Sequence, residues 1–317
     1  MLPPGPGTAV RSTCHIVSHD GWIAQTMRQA LPSDTTWDLV QHEGLAPTQD
    51  LGDKDALWID PGLLIAQNAW LESLGRPPVA LMAPPADCLG RLDESLLGRR
   101  VIVACAGEVR QWRQLPADLG DRPWSQIAGG RVPAFRAARR TLPQLRQDLA
   151  EAPDDARIQI SRHIDDIDQE WRVVVLGGRA VASSGYCRHI GSDDHGIITV
   201  FDGASFDPNL RAPAEKAAVH AAALGGIDAV CVDLAFPASS SPNRAPELMH
   251  PFVLEVNPAW CCSPYDYGQA GMSGFLAAIA AGRRPEGTHL AGAAPYNPDP
   301  WMADQFRNRY RSYWGRA

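Results

Sequence analysis

The stretch Glu170–Tyr186, EWRVVVLGGRAVASSGY, limits the possible folds more than any other part of the chain. Two β-rich runs meet at Gly177-Gly178, and a two-glycine turn supplies the positive φ angles of a tight hairpin. The runs therefore pair antiparallel, and the chain must build a sheet around them. Side chains alternate across a strand, so Glu170, Arg172 and Val174 share one face. Further on, Ala229–Phe236 (AVCVDLAF) reads as an apolar strand interrupted by one acid, Asp233. Phe252–Asn257 (FVLEVN) reads as another strand, with Glu255 and Asn257 two residues apart before Pro258 ends it. The polar connection between them, Pro237–His250, is long enough for the two strands to be neighbours.

The N-terminal part follows a different pattern. Cys14–Val17, Leu57–Ile59 and Val79–Met82 read as strands, alternating with helical patterns over Trp22–Leu31 and Ile65–Leu74. Such alternation predicts a small parallel α/β layer. Between this layer and the hairpin, Arg100–Ala104 and Arg157–Ile160 read as strands and Leu142–Ala150 as a helix. Pro213–Leu224 is an Ala-rich helix with proline near its first turn. Ser273–Ala281 and Asp299–Tyr313 are the last two helical patterns. The expected fold class is α/β, with a small N-terminal α/β domain (1–90) followed by a second unit (91–317).

At 317 residues the chain exceeds one small core. A net charge of -7 argues against a general nucleic-acid surface. No apolar run is long enough to span a bilayer. The opening MLPPGPGTAVRSTC lacks a charged n-region and an apolar h-region, so no signal peptide is expected. The seven cysteines are scattered and include no C-x-x-C pair, which predicts reduced thiols and a cytoplasmic location. Lysine occurs only at Lys54 and Lys216, so arginine supplies nearly all the positive charge.

Asp233, Glu255 and Asn257 offer hard oxygen ligands, suited to Mg²⁺ or Mn²⁺ rather than zinc. Each acid alone could be a capped or half-exposed strand residue. As a set they point to a metal, because buried acids without partners are costly. Mg²⁺ completes its shell with phosphates and water, so the set suggests a magnesium nucleotide. Arg172 has two readings: a cross-strand ion pair beside Glu170, or a planar clamp on a phosphate. Cys261 and Cys262 read as packed thiols. Ser263, Tyr265 and Asp266 lie where a loop would touch substrate, and His189, Asp193, Asp194 and His195 form a polar loop cluster.

The ordered set of E-x-R on a hairpin, an Asp within a strand, then E-V-N-P resembles the C-terminal half of ATP-grasp enzymes. It is most similar to the small single-chain clade named for one arginine and two lysines. The resemblance covers about 155–270 well and 100–155 weakly. It implies an α+β ATP-grasp unit with a smaller lobe over 91–160 and a larger lobe over 161–317. It implies that Asp233, Glu255 and Asn257 hold Mg²⁺ (or Mn²⁺), that Arg172 faces the phosphates or an acylphosphate, and that Glu170 lies in the cofactor site. Ile158, Gln159, Ile160 and Ser161 would form the hinge strand beside adenine. The clade's lysines are replaced here: Gln126 stands at the first position and Arg131 near the second. An alternative alignment offers Arg100 and Arg110.

The implied function is an ATP-dependent carboxylate–amine ligase working through an acylphosphate. Its partners would be a small-molecule carboxylate and an amine, on an amino acid or small peptide, with neither nucleic acid nor membrane. A homodimer is compatible with the sequence. The missing lysines keep open a catalytically degenerate nucleotide-binding protein, and the acids alone keep open a metal-dependent phosphohydrolase.

Overall fold

A computed structural model describes residues 11–42, 51–52, 55–165, 167–189, 197–199, 206–237, 250–283 and 294–314. The chain begins with β1 (Ser12–Val17), α1 (Gly21–Ala30), β2 (Trp37–His42), β3 (Ala56–Ile59), α2 (Pro61–Ser73) and β4 (Met82–Ala83). Strands β2, β1 and β3 form a three-stranded parallel sheet in that order. This is the expected parallel α/β layer, with β2 as a strand the sequence reading missed. Asp60 caps α2, its carboxylate accepting from the Gly62 and Leu63 amides.

The expected Val79–Met82 strand is shortened to Met82–Ala83. The Asn68 side chain is the reason. Its amide accepts from Val79 N at 2.8 Å and donates to Val79 O at 3.1 Å, taking the place of a neighbouring strand.

Next come α3 (Glu94–Leu97), β5 (Val101–Cys105), α4 (Ala106–Gln111), β6 (Trp124–Ile127), β7 (Ala138–Arg139), α5 (Leu142–Asp148) and β8 (Arg157–Ser161). They build a four-stranded antiparallel sheet ordered β5-β8-β6-β7. Its core includes Ile127, Phe135, Leu145, Ile158 and Ile160.

The hairpin is β9 (Ile167–Leu176) and β10 (Arg179–His189), turning at Gly177 and Gly178 with φ of 57° and 73°. Then follow β11 (Ile197–Thr199), α6 (Arg211–Gly225), β12 (Ala229–Pro237), β13 (Phe252–Pro258), α7 (Gly268–Ala281), β14 (Ala294–Pro295) and α8 (Pro300–Trp314). The second antiparallel sheet is ordered β11-β10-β9-β12-β13. Strand alternation divides its faces. Val173, Val175, Val232 and Leu234 face α6, while Val174, Ala182 and Cys231 join a core with Phe275 and Ile279 of α7.

That second core continues into the parallel layer through Ile16, Leu57 and Ile59, so α7 lies between the two sheets. At Gly274 an added Cβ would lie 2.7 Å from the Val181 carbonyl oxygen, so glycine is what lets α7 approach β10. The helix begins at Gly268 rather than at the expected Ser273, because this packing outweighs the low helix propensity of its glycines. The C-terminal segment returns to the start of the chain: β14 pairs with β4, and α8 packs on α2. No helix among the described residues is long and apolar enough to cross a membrane.

Arg99 fastens the two antiparallel sheets together. Its guanidinium donates to Leu97 O at 2.9 Å, Val253 O at 2.8 Å and Leu254 O at 3.3 Å. Burial lowers its pKa to about 10, with Glu255 pulling the other way. Arg99→Ala is expected to cost about 2–3 kcal/mol in urea unfolding, because it removes charged donors and orphans buried carbonyls. A midpoint equal to wild type would show that these bonds do not hold β13.

Candidate active site

The register of the five-stranded sheet determines the site. Asp233 on β12 lies opposite Arg172 on β9 and opposite Glu255 on β13. Arg172 Nε donates to Asp233 Oδ1 at 2.6 Å and Nη2 donates to Oδ2 at 2.8 Å, a bidentate fork. Both side chains are buried, at 10% and 4% exposure. Burial pushes the Asp233 carboxyl up to about 6 against the pull of Arg172, and Glu255 opposite adds to the push. Burial also works against the Arg172 charge, but Asp233 outweighs it and holds the guanidinium well above its usual pKa. The ion pair of Arg172 thus crosses to β12 rather than running along β9 to Glu170.

Glu255 and Asn257 complete the cluster. Asn257 Nδ2 donates to Glu255 Oε2 at 3.0 Å and reaches Asp233 Oδ2 at 3.5 Å. Gln126 Nε2, on β6 of the other antiparallel sheet, reaches Glu255 Oε1 at 3.4 Å. The two sheets therefore meet at this carboxylate.

The donor set fits a hard divalent cation. Two carboxylates directly opposite each other repel, and a cation between them reverses the sign. A half-turn of the Asn257 amide would present Oδ1 in place of Nδ2. Asp233, Glu255 and Asn257 would hold such an ion, and all-oxygen ligation suits Mg²⁺ or Mn²⁺.

Aromatic rings enclose Arg172 on one side. Tyr186 and Tyr265 stack with centroids 4.8 Å apart, and the Arg172 guanidinium lies 5.5 Å and 5.0 Å from their ring centres. Nη1 reaches Ser263 O at 3.4 Å, which brings the loop after β13 into the site. Glu170 accepts from Tyr186 Oη at 2.5 Å and contacts His189 Nε2 at 2.6 Å. Asp193, Asp194 and His195 of the same sequence cluster lie outside the described residues.

Cys231, Cys261 and Cys262 are packed beneath the loop and unbridged, as expected of packed thiols. Hydrogen bonds from Cys231 and Cys261 hold the Cys262 thiol well below its ordinary pKa despite burial, and Arg172 and Arg131 add to the pull.

The other sequence candidates are distributed as follows. Gln126 faces the cluster, and Arg131 is exposed, with its charge felt at Cys262. Ile158, Gln159, Ile160 and Ser161 are buried in β8 and paired on both sides, to β5 and β6. The ladders occupy their backbone groups, and Arg162 N continues the pairing onto Arg100 O at 3.1 Å. Arg100 and Arg110 have structural partners: Arg100 pairs with Glu94 at 3.3 Å, and Arg110 binds Leu149 O at 2.7 Å and Ala152 O at 2.9 Å. Lys216 is exposed on α6, across the sheet from Asp233.

Sequence reading missed Trp124 and His163, whose rings stack at 6.1 Å beside the end of β8. The tryptophan in "RPWSQI" was the available signal. It also missed Tyr186, which closes the quoted hairpin.

No protein-family profile and no curated relative matches the chain. Several solved structures share a loose likeness. D-alanine–D-alanine ligase from Bacillus anthracis, complexed with ATP, gives a TM-score of 0.49 at 12% identity, over 86% of this chain and 98% of that one. A RimK domain ATP-grasp protein from Sphaerobacter thermophilus gives 0.46 at 14% identity, over 85% and 98%. The ATP-grasp ligase PsnB with a minimal precursor gives 0.43 at 14% identity, over 86% and 99%.

Removing Arg172 leaves Asp233 a buried carboxylate without its cation, a change of about 3–5 kcal/mol. Asp233 has a folded pKa near 6 against 3.8 for the unconstrained group, so folding takes up a proton and this contribution to stability is lost as pH rises through about 6. Arg172→Leu drives that pKa higher still. Its deficit in urea midpoint is therefore expected to be smaller at pH 5 than at pH 8. A deficit independent of pH would show that Asp233 is not the group left unpaired.

Proposed function

We propose that the chain is an ATP-dependent carboxylate–amine ligase of ATP-grasp type. The proposed division is an N-terminal α/β domain over 1–90, a smaller lobe over 91–160 and a larger lobe over 161–317. One observation carries the reading: Asp233, Glu255, Asn257 and Arg172 converge on adjacent strands, and Gln126 meets them from the facing sheet. This arrangement supports nucleotide binding between two antiparallel sheets. It is also the spatial counterpart of the E-x-R, Asp, E-x-N-P order in the sequence.

Mg-ATP, when bound, supplies the phosphoryl group that activates the carboxylate. Asp233, Glu255 and Asn257 hold the metal. Arg172 offers Nη2 to an oxyanion once Asp233 Oδ2 is claimed elsewhere, and Arg131 adds charge at the rim. Neither side chain acts as a nucleophile, so catalysis rests on positioning and charge neutralisation. Beyond Ser161, Trp124 and His163 offer flat faces to a base. Tyr186 and Tyr265 exclude water from the side where the carboxylate and amine meet, and the acceptor class is an amino acid or small peptide. The reaction is placed in the cytoplasm.

Gln126 gives a specific reason to weigh a nucleotide-binding protein without catalysis. It supplies no charge where the resembled clade has a lysine.

Calorimetric titration tests both readings. Wild type is expected to bind Mg-ATP, and Glu255→Gln to weaken it about tenfold or more through loss of ligand charge. The affinity should fall as pH drops through about 6, since Asp233 must give up its proton to take a cation. Gln126→Lys should strengthen binding. ADP release that requires both a carboxylate and an amine identifies the ligase. Binding without release identifies the degenerate protein, and ADP release without an amine identifies a phosphohydrolase. Equal affinity of wild type and Glu255→Gln removes the metal assignment.

A further inference from the structure

We propose that Glu170, Cys187 and His189 form a second metal site, selective for a thiophilic divalent cation of the Zn²⁺ class. The site lies on the β9–β10 hairpin and does not depend on the ligase reading. Its ligands come together through a bulge. Gly185 pairs with Trp171 and Cys187 with Glu170, so Tyr186 is the extra residue. A bulge re-aims side chains, and here it sets Cys187 opposite Glu170. His189, two residues on, returns to the same face.

The sulfur, nitrogen and oxygen donor atoms of the three residues all lie within 4.8 Å of one another. Glu170 Oε1 and His189 Nε2 are 2.6 Å apart. The other carboxylate oxygen, Oε2, accepts from Tyr186 Oη at 2.5 Å. A carboxylate ligand is commonly oriented by such an outer hydrogen bond, which leaves its second oxygen for the metal.

The donor chemistry separates this site from the Asp233 cluster. One thiolate, one imidazole and one carboxylate suit zinc or cobalt and are poor ligands for Mg²⁺. Two anionic ligands balance a divalent charge. Three protein ligands leave a fourth tetrahedral position for water or a substrate atom. Cys187 is buried at 4% exposure, whereas the His189 side chain is 25% exposed, so the site is anchored from within and open to solvent on the histidine side. Tyr186 links the sites: its hydroxyl holds Glu170 and its ring stacks on Tyr265 beside Arg172. A metal on the hairpin would fix the aromatic wall of the candidate active site.

The test is a titration of Co²⁺ into the full-length chain after chelator treatment, read by absorption. A thiolate-to-cobalt charge-transfer band should saturate at one equivalent, persist in excess Mg²⁺ and vanish on adding Zn²⁺. Cys187→Ser should abolish the band. His189→Ala, at the half-buried end of the strand, should keep the fold and weaken cobalt binding about tenfold or more. Cys262→Ser should leave the band unchanged. The absence of a band in wild type, its survival in Cys187→Ser, its loss in Cys262→Ser, or displacement by Mg²⁺ would each overturn the site.

Discussion

A guanidinium and a carboxylate taken out of water must neutralise each other or not be charged at all. In this chain they do so at one register position, Arg172 against Asp233 in the middle of a five-stranded sheet. A one-residue slip of β9 against β12 would turn Arg172 toward α6 and leave Asp233 alone. The buried pair therefore selects the register, although burial of charges makes it a weak source of stability. Everything polar nearby depends on that choice. Glu255 and Asn257 reach Asp233 only because β13 pairs on the other edge of β12 in the matching register.

The second constraint is the meeting of two antiparallel sheets at Glu255. Arg99 binds the carbonyls of Val253 and Leu254 just before it, and Gln126 touches its carboxylate. Strand β13 is an edge strand of its sheet. An edge strand carrying the candidate-site side chains needs support from outside the ladder; Gln126 supplies it from β6 and Arg99 from the segment that leads into β5. The same polar contacts that build the site also set the distance between the sheets.

Much of this was legible in the sequence wherever alternation was clean. At the hairpin around Gly177-Gly178 and at the E-x-N before proline, the two-residue period of a strand dictates which side chains share a face, while the unbroken apolar run around Asp233 marks a strand buried on both faces. The reading was less complete where pairing partners are remote. Strand β2 and the short β6 and β7 have little apolar alternation and are defined by their neighbours. The Val79–Met82 expectation was cut short because an asparagine side chain on α2 can imitate a strand edge, which no local pattern reveals. The partner of Arg172 was likewise open: Glu170 shares its face by periodicity, but Asp233 is the cross-strand neighbour, and only register distinguishes them. Tyr186 drew no attention because a bulge, invisible to a strict two-residue period, decides where it points.

The charges around the candidate site bear on why these residue types stand together. Asp233 and Glu170 both act on Tyr265, whose pKa rises to about 12: burial raises it first, Arg172 opposes, and Asp233, Cys262 and Glu170 push it further. Glu255 in turn raises the Asp233 pKa from the opposite strand. Arg172 is already committed to Asp233, and Gln126 adds no charge. Like charges directly opposite on neighbouring strands are destabilising, and a proton on Asp233 or a nearby cation offsets them. Arg172 supplies one unit from within the sheet, and Arg131 acts from the exposed rim. The divalent ion proposed between β12 and β13 would offset the remainder.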